Sequence, residues 1–185
     1  MGYAIAHAAL VAGHDVVLVS GPTSLVAPEG AVVVKVETAA DMLEAVQQNL
    51  DGSDALIMAA AVADWRPRRV SAQKMKKADG VDSIDLERTE DVLEYIRGIK
   101  GRLIVVGFAA ETENLIAEAQ RKLRDKGLDL IVANDVSRAD AGFDVDTNKA
   151  TLLTAEGKTE DLPLMTKREL AQKIVDWVFA KQSSQ

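Results

Sequence analysis

Five short aliphatic runs, separated by stretches with helical spacing, constrain this chain more than any other feature. The runs are residues 15–20 (DVVLVS), 31–36 (AVVVKV), 54–60 (DALIMAA), 102–107 (RLIVVG) and 128–133 (LDLIVA). They are nearly continuous in apolar character, as strands covered on both faces are. Between them, Thr38 is expected to cap a helix over 39–50, with Met42, Leu43 and Val46 inward. Thr89 is expected to cap a helix near 90–99, with Val92, Leu93 and Ile96 inward. Thr112 is expected to cap another over 113–126, with Leu115, Ala119 and Leu123 on one face. Residues 2–12 read as a helix apolar nearly all round, hence buried, with Gly13 closing it. A polar loop is predicted over 137–149, a late strand over 150–154, and a closing helix over 166–181 with Leu170, Ile174, Trp177 and Val178 inward. Strands alternating with helices predict an α/β, Rossmann-like fold: a mostly parallel sheet with helices on both faces. A length of 185 residues suits one domain.

Composition narrows the chemistry. Hydrophobic residues make up 48% of the chain and aromatics only 4%, so the core is aliphatic. Cysteine is absent, which excludes disulfides, thiolate metal sites and a cysteine nucleophile of the protein's own. Two histidines, His7 and His14, are too few for a His-rich metal site, and each has a core or surface role. No apolar run approaches the ~18 residues of a membrane span, and nothing reads as a signal peptide, so the cytoplasm is the expected location. A net charge of −7 argues against nucleic acid as a partner.

A nucleotide-binding fold of this class opens with a strand and a Gly-rich turn before its first helix. Here the first predicted element is the helix. Either a strand and turn stand ahead of residue 1, or one position in the sheet is empty.

Function is expected to concentrate in residues 55–77, ALIMAAAVADWRPRRVSAQKMKK. A buried strand leads through small residues to Asp64. Arg66, Arg68, Arg69, Lys74, Lys76 and Lys77 then follow, six cations in twelve positions with no acid among them. A cationic loop beyond the C-terminal end of a buried strand is where an α/β protein holds a phosphorylated ligand. The alanines let a ligand approach the backbone. Asp64 then accepts from a ribose hydroxyl or binds a cation, or else it is a solvated turn aspartate. The lysines form either a lid over a phosphoryl or acyl-phosphate centre or a charged surface loop. Phe108, expected just past a strand end, packs on a base or belongs to the core. Lys122 and Lys126, four residues apart, share a helix face; they approach a triphosphate or serve the helix dipole.

In order along the chain, MGYAIAHAAL (1–10), VSGPTSL (19–25), AAAVADWRP (59–67), KMKK (74–77), VVGFAAETEN (105–114), KLRDKGLDLIVANDV (122–136) and GFDVDTNKATLL (142–153) resemble the phosphopantothenoylcysteine synthetase domain of the bacterial coenzyme A biosynthesis bifunctional proteins. The resemblance spans nearly the whole chain. It implies that 4'-phosphopantothenate is activated by CTP as an acyl-cytidylate with loss of pyrophosphate, and that L-cysteine then attacks through its amine to form the amide. It implies CTP contacts at Met58, Ala59, Ala60, Asp64, Phe108, Lys122 and Lys126. Glu87, Arg88, Thr89 and Glu90 occupy a further CTP-contacting position, where the chain reads ERTED and many relatives carry Asn-Pro before the aspartate. Lys74 matches the flap lysine that turns over the acyl-cytidylate. Mg²⁺ as a cofactor, a homodimer, and a preceding FMN-dependent decarboxylase domain are implied in the same way. So is a strand with a Gly-rich, Asn-containing loop ahead of MGYAIA.

Other readings have less support. A short-chain NAD(P)-dependent reductase uses a Tyr-x-x-x-Lys pair, but position 99 after Tyr95 is Ile. No G-x-G-x-x-G and no G-x-x-x-x-G-K-[ST] occurs. A non-catalytic nucleotide-binding subunit remains as an alternative, and a nucleic-acid module through residues 66–77 ranks last.

Overall fold

The structure is a computed structural model. It describes residues 1–71, 73–74, 83–111, 114–135 and 146–184. The element order is α1 (Gly2–Val11), β1 (Val17–Ser20), β2 (Val32–Lys35), α2 (Ala39–Asn49), β3 (Ala55–Met58), β4 (Trp65–Pro67), β5 (Leu86–Arg88), α3 (Val92–Ile99), β6 (Ile104–Glu111), α4 (Leu115–Asp125), β7 (Leu130–Asp135), β8 (Thr147–Asn148), β9 (Ala150–Thr154), β10 (Thr159–Asp161), β11 (Met165–Thr166) and α5 (Lys167–Gln182). The fold is α/β and Rossmann-like, as the alternation predicts.

The main sheet has five strands in the order β10-β9-β7-β6-β3. β3, β6 and β7 are parallel, and β9 and β10 join antiparallel. β1 and β2 form a separate parallel pair. Among the described residues β3 pairs only with β6 and β1 only with β2, so each keeps one open edge. Both faces of the main sheet are covered. Ile131 and Ala133 pack with Val46 of α2, Val92 and Ile96 of α3, and Ala119 and Leu123 of α4. Leu130 and Val132 pack on the other face with Ile5 and Ala8 of α1 and Leu170, Ala171 and Ile174 of α5. This two-sided burial is why the strand runs lack polar alternation.

Several local expectations change. Helix α1 is apolar but not enclosed: Ile5, Ala6 and Ala8 are buried, while His7 is exposed and Val11 is 70% exposed. Gly13 does close it, at φ 86°, a conformation that costs glycine little. Thr38 caps α2 in a reciprocal box with Asp41. Thr89 does not cap α3; Asp91 does, accepting from Glu94 N at 3.1 Å. The expected cap Thr112 lies outside the described residues, and α4 begins after Asn114, at φ 51°. Strand β6 runs on to Glu111, so Phe108 sits inside the strand rather than past its end. Of the predicted polar loop, 137–145 lie outside the described residues, and Thr147–Asn148 pair with Met165–Thr166.

Gly107 marks a close approach. A methyl group placed on it would lie 2.6 Å from Leu128 Cδ1, and Leu128 is itself buried. Gly107→Ala is therefore expected to cost about 1–3 kcal/mol through overpacking, read as a lower urea midpoint. An unchanged midpoint would mean that Leu128 swings clear.

Several carboxyls are held below the usual carboxylate range. Thr38 hydrogen bonds do this for Asp41, and Thr166 hydrogen bonds for Glu169. Lys149 does it for Asp161. Glu156, hydrogen-bonded to Lys181, is pulled down to about 2. Between the folded and ordinary values the unfolded chain binds more protons, so these groups stabilise the fold fully above the ordinary range, about pH 4. That stability drains away as pH falls through the depressed values. The urea midpoint is expected to hold between neutral pH and about pH 5 and to fall modestly below about pH 4, because these carboxyls are exposed and solvent screens them. A midpoint that stays level below pH 4 would contradict these assignments.

Candidate functional site

Because β3, β6 and β7 run parallel, their C-terminal ends lie on one edge of the sheet. Ligands of open α/β sheets bind at that edge. Met58 ends β3 and stands opposite Gly107 of β6, so Ala59 and Phe108 come next on adjacent strands. Ala59 and Phe108 lie on the α1 side of the sheet, and Met58 on the α2–α4 side. A methyl group on Gly2 would lie 3.9 Å from Ala59 Cβ, which puts the start of α1 at this edge. Ala60, Ala61 and Ala63 are exposed.

The segment after Asp64 is a strand, not a loop. β4 pairs antiparallel with β5, setting Trp65 opposite Arg88 and Arg66 opposite Glu87. The pairing brings residues 87–90 beside Asp64. Thr89 N donates to Asp64 O at 3.0 Å, and Thr89 Oγ1 donates to Ala63 O. The cations of this stretch also have an acid after all. Arg66 Nε meets Glu87 Oε1 at 2.9 Å, and Arg68 Nε lies 3.9 Å from Glu87 Oε2. Glu87 comes from a distant part of the sequence, which is why the 66–77 run reads as uncompensated. The Arg88 guanidinium stacks over the Trp65 ring at 5.4 Å.

Lys126 joins the same neighbourhood from α4. Its Nζ donates to Asp91 Oδ2 at 2.6 Å, two residues beyond Thr89. Burial alone would raise the Asp91 carboxyl, but the bonds from Lys126 and Glu94 N hold it below the usual range. Lys126 thus arrives already paired, and Lys122, half-buried, lies one turn earlier on α4. Asp64, Glu90 and Lys74 are exposed. Just before Lys74, Ser71 Oγ donates to Gln73 O at 2.7 Å, and the Lys74 ammonium meets no described carboxylate. Lys76 and Lys77 lie outside the described residues.

The structure therefore brings Asp64 beside residues 87–90 and Lys126 to Asp91, and sets Met58 and Ala59 at the end of β3 next to Phe108 within β6. It ties Lys74 to them only through the chain. Two residues of this edge were not singled out from the sequence. Asp91 was legible, as an aspartate three residues before Glu94 at the head of an apolar stretch. Asn134 was legible as a polar residue continuing the inward positions Leu130 and Val132.

Among the described residues no group of three or more His, Asp or Glu side chains is placed to hold a metal ion. No described helix is long and apolar enough to cross a membrane. A cleft of 760 Å³ opens at the opposite edge of the sheet, among Leu50, Asp54, Ile99, Lys100 and Gln182, and contains none of these site residues.

Residues 1–181 match the family model described as DNA/pantothenate metabolism flavoprotein C-terminal domain. The chain belongs to that family. It is 46% identical over 181 residues to the coenzyme A biosynthesis bifunctional protein CoaBC of Bacillus subtilis, covering 97% of the chain and 45% of that protein. It is 40% identical over 178 residues to CoaBC of Vibrio vulnificus, covering 95% and 44%. The crystal structure of the C-terminal domain of a CoaBC superposes with a TM-score of 0.84 at 40% identity, covering all of this chain and 83% of that one. The chain thus spans slightly under half the length of these full-length relatives, and it corresponds to the C-terminal domain of the family.

Proposed function

We propose that this flavoprotein C-terminal domain is a phosphopantothenate–cysteine ligase that uses CTP, acting in coenzyme A biosynthesis. The observation that carries the reading is the bonding of Thr89 to Ala63 and Asp64 beyond β3, with Lys126 held by Asp91 two residues further on, in a chain similar throughout to CoaBC. Met58, Ala59 and Ala60 offer backbone to the nucleotide, Asp64 accepts from its ribose, and Phe108 borders its base. Lys122 and Lys126 are the cations from α4, and Glu87, Arg88, Thr89 and Glu90 form the facing wall. A carboxylate oxygen of 4'-phosphopantothenate attacks the α-phosphorus of CTP and pyrophosphate leaves. The deprotonated amine of L-cysteine then attacks the acyl carbon and CMP leaves. Charge builds on phosphoryl and carbonyl oxygens in these steps, and Lys74 supplies the positive charge that meets it.

Mg²⁺ belongs to the reading as a companion of the triphosphate, because the described residues offer no cage of their own. Trp65, Pro67 and Leu86 share one side of the β4–β5 ribbon, with Trp65 and Leu86 each 52% exposed, and this apolar surface supports assembly as a homodimer. The name CoaBC denotes bifunctional proteins, which supports a fused FMN-dependent decarboxylase in the native protein. A cytoplasmic location, with no membrane or nucleic-acid partner, fits the same reading.

Calorimetry with CTP, ATP and NADH tests the nucleotide. CTP is expected to bind more tightly than ATP, and NADH not at all. Tight NADH binding without CTP binding would replace this reading by an oxidoreductase.

A further inference from the structure

The first turn of α1 touches two strand ends. Gly2 approaches Ala59 beyond β3, and the Tyr3 hydroxyl meets Ser20 Oγ, at the end of β1, at 2.9 Å. Ser20 Oγ donates its one hydrogen to Gly21 O at 3.0 Å, so Tyr3 is the donor in the first bond. Ser20 is buried, and its carbonyl accepts from Val36 N at 3.0 Å. The ends of β1 and β3 therefore share one edge, and the turn over 21–25 is fixed where it leaves β1. Lys35 closes β2 directly opposite Ser20. Val34 and Val36 pack with Met42 and Val46 of α2, so by alternation Lys35 faces the α1 side, the side of Ala59. Lys35 is exposed, and among the described residues its ammonium meets no carboxylate. Thr23 and Ser24 are exposed in the adjoining turn, and Leu25 is 61% exposed.

The nucleotide contacts proposed above run from the end of β3 to Phe108 on β6, and β3 is the last strand of the main sheet. The side toward β1 is left for the second substrate. Its carboxylate must meet the nucleotide, so its far end extends away from it. In 4'-phosphopantothenate that end is a phosphate monoester beside a carbon bearing two methyl groups. A lysine meets phosphate as a point charge, hydroxyls donate to its oxygens, and an exposed aliphatic side chain suits the methyls. We propose that Lys35, with Thr23 and Ser24, binds the phosphate of 4'-phosphopantothenate, and that Tyr3 positions the turn through Ser20. The inference rests on the ligase reading and adds to it a seat for the second substrate.

The test is equilibrium binding of 4'-phosphopantothenate, unphosphorylated pantothenate and CTP to the full chain, as wild type, Lys35→Gln and Tyr3→Phe. Wild type is expected to prefer 4'-phosphopantothenate to pantothenate. Lys35→Gln is expected to bind 4'-phosphopantothenate about 10- to 100-fold more weakly, as the loss of a hydrogen bond to a charged group implies. Its affinities for pantothenate and CTP are expected to stay at the wild-type level. Tyr3→Phe is expected to weaken 4'-phosphopantothenate about 3- to 10-fold and to leave CTP unchanged, whereas a merely structural loss would weaken both. A wild type without the preference, a matching loss of pantothenate or CTP affinity, or unchanged 4'-phosphopantothenate binding in either variant overturns the inference and leaves the ligase reading standing. A wild-type chain that binds CTP but not 4'-phosphopantothenate overturns both.

Discussion

Replacing Lys74 by glutamine is expected to slow amide formation about 10²–10³-fold, the usual cost of one preorganised group that meets transition-state charge. CTP affinity is expected to stay close to wild type. The two halves of this expectation have separate physical reasons. Glutamine keeps a polar side chain of similar reach but removes the charge, and the charge matters most when the phosphorus and carbonyl centres carry extra negative charge. Lys74 is exposed and meets no described carboxylate, so its loss strands no buried partner and should leave the fold intact. Single-turnover rates, with CTP affinity measured in parallel, separate the two. A wild-type rate in Lys74→Gln would remove this lysine from the chemistry. An equal loss in binding and rate would make it a uniform contributor to nucleotide affinity instead.

Truncating Ile174 to alanine is expected to cost about 2–5 kcal/mol of stability. Ile174 is fully buried on α5, in a stripe with Leu170, Ala171 and Val175. That stripe covers Ile104 and Val106 of β6 and Leu130 and Val132 of β7, the strands whose far ends carry Phe108 and Asn134. The lost atoms forfeit their transfer free energy, and the rigid sheet beneath leaves a cavity rather than closing on it. The urea midpoint reads the effect directly. A loss below about 1 kcal/mol would mean that α5 collapses onto the sheet, against the typical range for such truncations.

The sheet layers were legible because burial on both faces leaves an unmistakable mark. Val105 and Val106 are both buried although they point to opposite sides, and so are Ile131 and Val132. Helix spacing was equally clear for α3, where Val92 and Ile96 are the buried residues. What the sequence hid was set by contacts between distant residues. Arg66 reads as uncompensated until β4–β5 pairing brings Glu87 to it from 21 positions away. Thr89 reads as a helix cap, yet its hydroxyl is committed to Ala63 O and Asp91 takes the cap. Lys126 reads as a helix-end cation, and only the packing of α4 beside α3 shows that Asp91 already holds it. The motifs thus point to the C-terminal edge of the sheet. The pairing of charges within it came from the fold.

In the ligase reading this strand edge activates a carboxylate with CTP. Pyrophosphate release measured with CTP, before and after addition of 4'-phosphopantothenate and without L-cysteine, tests it most directly. Release is expected only once 4'-phosphopantothenate is present, limited to about one equivalent per site until cysteine is added. Release from CTP alone, or none on adding 4'-phosphopantothenate to a chain that binds CTP, would contradict it.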